Sequence, residues 1–136
     1  MKSTPYDLKA VEDVCRELSI QTELTSDEVR VKLEGDVTLT VANVPEEQDT
    51  FLGFDDVPWH THDRLTLMTG PDTSVSYAPH ELILAIFTGD VFLVTEKRDG
   101  RVSDRWFIHK NERLDLEWLG AGDEITVKSV AEQAAP

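Results

Sequence analysis

The sequence predicts an α+β fold, in which an N-terminal helix and a second short helix pack on a largely antiparallel β-sheet. Two observations lead to this class. Apolar residues recur at helical spacing near the N-terminus, and over most of the remaining chain they alternate at strand spacing between glycine-containing turns. The chain has 136 residues, the length of one ordinary domain. We therefore expect a single domain over 1–136, with a frayed tail at 131–136.

The first element is a predicted helix over residues 5–19. Thr4 is suited to be its N-cap, and Pro5 to occupy its first turn. One face then carries apolar side chains at helical spacing: Leu8, Val11, Cys15 and Leu18. A helix this short is marginal alone in water. We therefore expect its apolar face to cover the sheet.

Period-two alternation of apolar and polar residues follows the helix. It predicts a strand at 20–24 and then a hairpin whose strands span 29–33 and 37–41, joined by a turn at Gly35. The apolar residues of both hairpin strands fall on one face, as in an antiparallel sheet with one wet side. From 42 to 62 prolines, glycine and carboxylates interrupt the pattern, which predicts a long loop with local structure.

The second half of the chain alternates predicted strands with one more helix. Pro79 is suited to begin that helix and Gly89 to end it, which places it at 79–88. Strands are predicted at 65–67 and 75–77, joined by a turn at 70–72. A second pair is predicted at 91–94 and 102–108, joined by a turn at 98–100. A last strand is predicted at 125–130, after a turn at 120–123. Residues 114–118 have strand spacing, although Leu119 leaves a helix open.

Charge excludes several classes of function. Asp and Glu number 27 against 13 Lys and Arg, for a formal net charge of −14. Such a chain is a poor binder of nucleic acid or of anionic membranes. The sequence has no apolar run of membrane-spanning length and no secretory signal pattern. The single Cys15 cannot form an internal disulfide, and we expect a cytoplasmic protein.

Common catalytic motifs are missing from the sequence. There is no Gly-rich phosphate loop, Gly-x-Ser-x-Gly, His-Glu-x-x-His or Cys-x-x-Cys. We therefore expect a protein without enzymatic activity and without a cofactor. His60 and His62 form the one pair that invites a catalytic interpretation, because alternate residues of a strand share a face and two imidazoles are Zn²⁺ ligands.

Acidic residues are concentrated in the middle of the chain. Between Lys32 and Arg64 there is no Lys or Arg, while eight carboxylates fall in that interval. Aromatic residues are interleaved with them, and aromatic anchors rimmed by one sign of charge are suited to capture an oppositely charged partner. The candidate partner-binding residues are Glu46, Glu47, Asp49, Phe51, Phe54, Asp55, Asp56 and Trp59. A solvated acidic loop whose aromatic residues only pin it to the core is the alternative.

These features favour a small acidic protein-binding module. The leading hypothesis is a bacterial immunity protein, which would neutralise a basic toxin such as a nuclease by presenting carboxylates where phosphates would bind. One alternative is a dimeric acidic chaperone for a secreted effector protein. The order of elements and the low pI resemble the small type III secretion chaperones, although no short motif supports this. A second alternative is a metal-dependent hydrolase that uses His60 and His62.

Overall fold

The computed structural model describes residues 8–25, 27–34, 37–44, 49–112 and 120–130. This part of the chain forms two helices and ten strands, with about 19% helix and 56% strand. In chain order they are α1 (Leu8–Glu17), β1 (Thr22–Leu24), β2 (Glu28–Glu34), β3 (Val37–Val44), β4 (Asp49–Phe54), β5 (His60–His62), β6 (Leu65–Gly70), β7 (Thr73–Tyr77), α2 (Pro79–Thr88), β8 (Val91–Arg98), β9 (Arg101–His109) and β10 (Asp123–Lys128). The predicted α+β class is confirmed.

The largest sheet has five strands in the order β1-β2-β3-β4-β5, and every neighbouring pair is antiparallel. Its inner face carries the apolar residues that the period-two pattern of the sequence placed together. Val29, Leu39 and Leu52 on this face are each at most 1% exposed. These side chains belong to one core cluster with the buried residues of both helices.

Helix α1 packs on β1, β2 and α2 through the predicted apolar stripe. It ends two residues before the predicted end, and Ser19 adopts a left-handed backbone conformation with φ of 58°. The Ser19 N–H donates to the carbonyl of Arg16, and the Ile20 N–H donates to that of Cys15 at 2.8 Å. This Schellman arrangement satisfies the last carbonyls and turns the chain toward β1. The predicted cap residues lie outside the described residues.

Helix α2 spans Pro79–Thr88, as predicted. The Glu81 carboxylate accepts a hydrogen bond from the Ala78 N–H at 2.9 Å, which holds the first turn. Gly89 ends the helix with φ of 91°, a conformation that other residues adopt at a cost. The helix buries Leu82, Ile83 and Ile86 against the core and contacts β7 and β8.

Two smaller sheets complete the described part of the chain. One has three strands in the order β10-β8-β9, and the other is the hairpin of β6 and β7. All of these strands were predicted: β6, β7, β8 and β9 with shorter bounds, and β10 two residues too far along the chain, at 125–130 instead of Asp123–Lys128. The predicted strand or helix at 114–119 and the predicted tail at 131–136 lie outside the described residues.

The expectation of a long loop over 42–62 is wrong. Strand β3 continues to Val44, and β4 and β5 are paired strands of the large sheet. The sequence pattern failed here because Gly53 occupies a strand position and because Asp49 opens β4 where a strand usually carries an apolar or β-branched residue. Pairing with β3 supplies the backbone hydrogen bonds that make these residues a strand.

Candidate functional site

Strand β4 divides the predicted partner-binding residues between two faces of the sheet. Leu52 and Phe54 point inward and belong to the core cluster. Asp49, Phe51 and Gly53 alternate with them and point outward. In the register between β4 and β5, Phe51 is opposite His62 and Gly53 is opposite His60. We call Asp49, Phe51, Asp55, His60 and His62 the outer β4–β5 face.

The Phe51 ring lies over Gly53, and a side chain at position 53 would force the ring to shift. A Cβ atom on Gly53 would come within 2.5 Å of Cζ of Phe51. From this position the ring stacks on His60 at a centroid distance of 5.4 Å and meets His62 edge-on at 6.2 Å. The two imidazoles are 5.2 Å apart and nearly perpendicular. Phe51 therefore holds both imidazoles in one compact cluster, and it remains partly exposed itself.

Each imidazole of this cluster has a partner at Nδ1. Nδ1 of His60 lies 3.0 Å from the carbonyl oxygen of Pro58. Nδ1 of His62 forms a close ion-pair contact with Oδ2 of Asp49. Both rings are therefore oriented by a hydrogen bond on one side, and both histidines are exposed.

Asp49 sits among hydrogen-bond partners that favour its ionised form. Desolvation raises the pKa of this carboxyl group, but hydrogen bonding with the Asp63 side chain and with the Thr50 N–H, together with the His62 imidazole, outweighs desolvation and lowers it. The Thr50 N–H donates to Oδ1 of Asp49 at 2.8 Å and to Oδ1 of Asp63 at 3.2 Å. Two carboxylates thus share one backbone donor beside His62.

Asp55 lies at the other end of the outer β4–β5 face and is paired within the chain. Its Oδ1 accepts a hydrogen bond from the Thr40 hydroxyl at 2.9 Å, and its Oδ2 contacts Nη2 of Arg30. Both side chains of the ion pair are 43% exposed. Such a pair is screened by water and contributes little to stability. Asp55 therefore remains accessible to a partner, with part of its charge compensated by Arg30.

Asp56 has a different role from its neighbour, because it connects the large sheet to β9. Nε and Nη2 of Arg105 donate to Oδ2 of Asp56 at 3.1 and 3.0 Å. Nη1 of Arg105 donates to the Thr95 hydroxyl at 2.9 Å. The Arg105 side chain is only 11% exposed, whereas that of Asp56 is 47% exposed. Asp56 is thus the carboxylate partner of a buried guanidinium.

Two of the predicted aromatic anchors face the interior. The rings of Phe54 and Trp59 are 5.5 Å apart, and each lies 5.4–5.5 Å from the ring of Phe107 on β9. Phe54 is 6% exposed, and Trp59 is partly buried and packs against the core. Of the three predicted aromatic anchors, only Phe51 belongs to the outer face. Glu46 and Glu47 lie outside the described residues.

The same side of the sheet has a shallow polar pocket of about 290 Å³, lined by Gln21, Thr22, Glu23, Arg30, Lys32 and Thr38. Arg30 borders both this pocket and the outer β4–β5 face. Within the ranges that the structure describes, no group of three or more His, Cys, Asp or Glu side chains is arranged to hold a metal ion. No helix in those ranges is long and apolar enough to cross a membrane.

Sequence reasoning did not assign four residues that shape this site to it: Arg30, Thr40, Gly53 and Asp63. Residues 49–55 do alternate with period two. Their outward positions, however, hold two carboxylates, an aromatic residue and a glycine, which is not the usual pattern of a strand. No local signal indicates that Arg30 meets Asp55, because 25 residues separate them.

Comparison of the chain with protein-family models, with curated proteins and with solved structures found no match.

Proposed function

We propose that this protein is a non-enzymatic binding module that captures a basic protein partner on the outer β4–β5 face. In this proposal it acts in the bacterial cytoplasm as an inhibitor of the immunity-protein kind, and its partner is a toxin, such as a nuclease, whose active site is basic. The observation that carries the proposal is one partly exposed aromatic ring, Phe51, placed between Asp49 and Asp55 in a chain of net charge −14.

Charge supports the first step of capture. The interval from 33 to 63 contains no Lys or Arg, so the only cation that the described contacts bring onto the outer β4–β5 face is Arg30. A surface of one sign raises the encounter rate with a cationic partner, and this effect falls as salt screens the charges. To occupy a site that binds the phosphates of a nucleic acid, an inhibitor needs only carboxylates held in fixed positions.

The rigidity of the face supports the second step, which is residence on the partner. Phe51 is held by Gly53 beneath it and by the two imidazoles beside it. An aromatic side chain that is already immobilised loses little conformational entropy when a partner covers it. Central aromatic anchors of this type commonly account for most of the energy of an interface.

Kinetic binding measurements against the product of the neighbouring gene test this proposal. Phe51→Ala is expected to speed dissociation by about tenfold or more, because it removes the central anchor. Asp55→Lys is expected to slow association at about 50 mM salt, with the difference largely lost at about 500 mM. Asp72→Lys, in the exposed turn between β6 and β7, makes the same charge change away from the face and serves as the control.

Several outcomes would contradict the proposal. If salt does not change the association rate of the complex, electrostatic steering plays no part in capture. If Asp55→Lys and Asp72→Lys slow association equally, the partner does not bind on the outer β4–β5 face. A protein that light scattering finds to be dimeric on its own, and that binds an unfolded client segment, would favour the secretion chaperone instead.

A further inference from the structure

Hydrogen bonding fixes the tautomers of His60 and His62. A backbone carbonyl can only accept a hydrogen bond, so Nδ1 of His60 carries the proton that it donates to Pro58. An ionised carboxylate also only accepts, so Nδ1 of His62 carries the proton that it donates to Asp49. In the neutral form of each ring, Nε2 therefore holds the free lone pair.

The separation of the two rings suits coordination of one ion. A metal bound to Nε2 lies about 3.2 Å from the ring centre, the sum of a metal–nitrogen bond of about 2.1 Å and a ring radius of about 1.1 Å. Two ring centres 5.2 Å apart would subtend an angle of about 110° at an ion that both Nε2 atoms face. This is close to the tetrahedral angle that Zn²⁺ prefers.

The surroundings of the pair resemble the outer shell of a metal site. Histidines that bind metals almost always donate their other ring N–H to a carboxylate or a backbone carbonyl, which orients the ring and raises its basicity. His62 and His60 have these two kinds of partner, respectively. Phe51 packs against both rings and limits their rotation, so less side-chain entropy is lost when an ion binds.

We propose that the Nε2 atoms of His60 and His62 bind one divalent transition-metal ion on the outer β4–β5 face, with water completing its coordination shell. No third His, Cys, Asp or Glu joins them among the described residues, so the site is open and exchanges its ion readily. Imidazole ligands and the general order of divalent affinities predict that Cu²⁺ binds more tightly than Zn²⁺. This proposal does not depend on the captured partner.

Calorimetric titration of tag-free protein with Zn²⁺ and Cu²⁺ tests the site. One ion per chain is expected at pH 7.5, where the titration is carried out. His60→Gln and His62→Gln are each expected to weaken binding at least tenfold. Asp49→Asn keeps both ligands and is expected to weaken binding less, because it removes only the carboxylate that orients His62.

His80→Gln, on α2 and not part of the outer β4–β5 face, is the matched control, and it is expected to leave the titration unchanged. All variants are first compared by thermal unfolding without metal, so that a loss of folding is separated from a loss of binding. Absence of saturable binding below about 1 mM would overturn the proposal, as would binding that survives in both His60→Gln and His62→Gln.

Discussion

Removal of the Asp56 carboxylate tests whether this residue is structural. In Asp56→Ala the three contacts from Arg105, at 3.0–3.3 Å, are lost. The guanidinium is then left unpaired in a site where its side chain is 11% exposed. Loss of one partner of a fully buried pair costs about 3–5 kcal/mol, whereas exposed pairs contribute about 0–1 kcal/mol.

The expected loss of unfolding free energy lies between these limits. Asp56 itself is 47% exposed, so water solvates part of the pair, and we expect a loss of about 2 kcal/mol. Asp55→Ala is the matched control, because it removes the same charge one residue away from a pair that is 43% exposed on both sides. Its expected cost is at most about 1 kcal/mol.

Urea unfolding at neutral pH measures the difference. At a slope of about 2 kcal/mol per molar, Asp56→Ala should lower the midpoint by roughly 1 M. Arg105→Met should cost less than Asp56→Ala, because it leaves an accessible carboxylate unpaired instead of a buried cation. Equal costs for Asp55→Ala and Asp56→Ala would refute the assignment of Asp56 to a structural role.

Three further predictions concern the core and the backbone. Gly53→Ala should destabilise the protein by about 1–3 kcal/mol in thermal unfolding, because the added methyl group clashes with the Phe51 ring. Much of this loss should disappear when Gly53→Ala is combined with Phe51→Ala, which removes the ring. Cys15 is 0% exposed, so its thiol should react with a disulfide reagent at pH 8 only as fast as the protein opens. Desolvation by burial, with a smaller effect of the nearby Glu12 carboxylate, also raises the pKa of this thiol to about 11, and rapid labelling of folded protein would contradict the prediction. Gly89→Ala should cost about 1–2 kcal/mol in urea unfolding, because position 89 has φ of 91°, whereas no measurable cost would show that α2 can end another way.

Burial of Cys15 also predicts a pH dependence of stability. The folded-state pKa of about 11 is above the ordinary thiol pKa of 9.0, so folding disfavours the thiolate. Its contribution to the unfolding free energy is complete below pH 9 and is lost as pH rises toward 11. Cys15→Ala should therefore flatten the loss of stability between pH 9 and 11, measured by urea unfolding.

Local patterns were sufficient for elements whose signals lie within a few residues. Pro79 and Gly89 bracket α2, because one pre-sets the first turn and the other tolerates the left-handed cap. Apolar alternation identified β2 and β3, and the continuous apolar run of Val91–Val94 identified β8, with β9 as its partner after the turn. β4 was not identified because Asp49 and Gly53 interrupt its apolar residues, and prolines and carboxylates before and after it are typical of a loop.

The sequence by itself determined the α+β class, both helices and most hairpins, together with the concentration of negative charge, because these depend on spacing and composition along the chain. Only the tertiary structure decided which of the acidic and aromatic residues face outward. Asp55 and Asp56 are adjacent in sequence, yet one meets Arg30 on the open face and the other meets Arg105 beside the core. Such pairings join residues 25 and 49 positions apart, and they follow from strand register and sheet packing, which local periodicity does not encode.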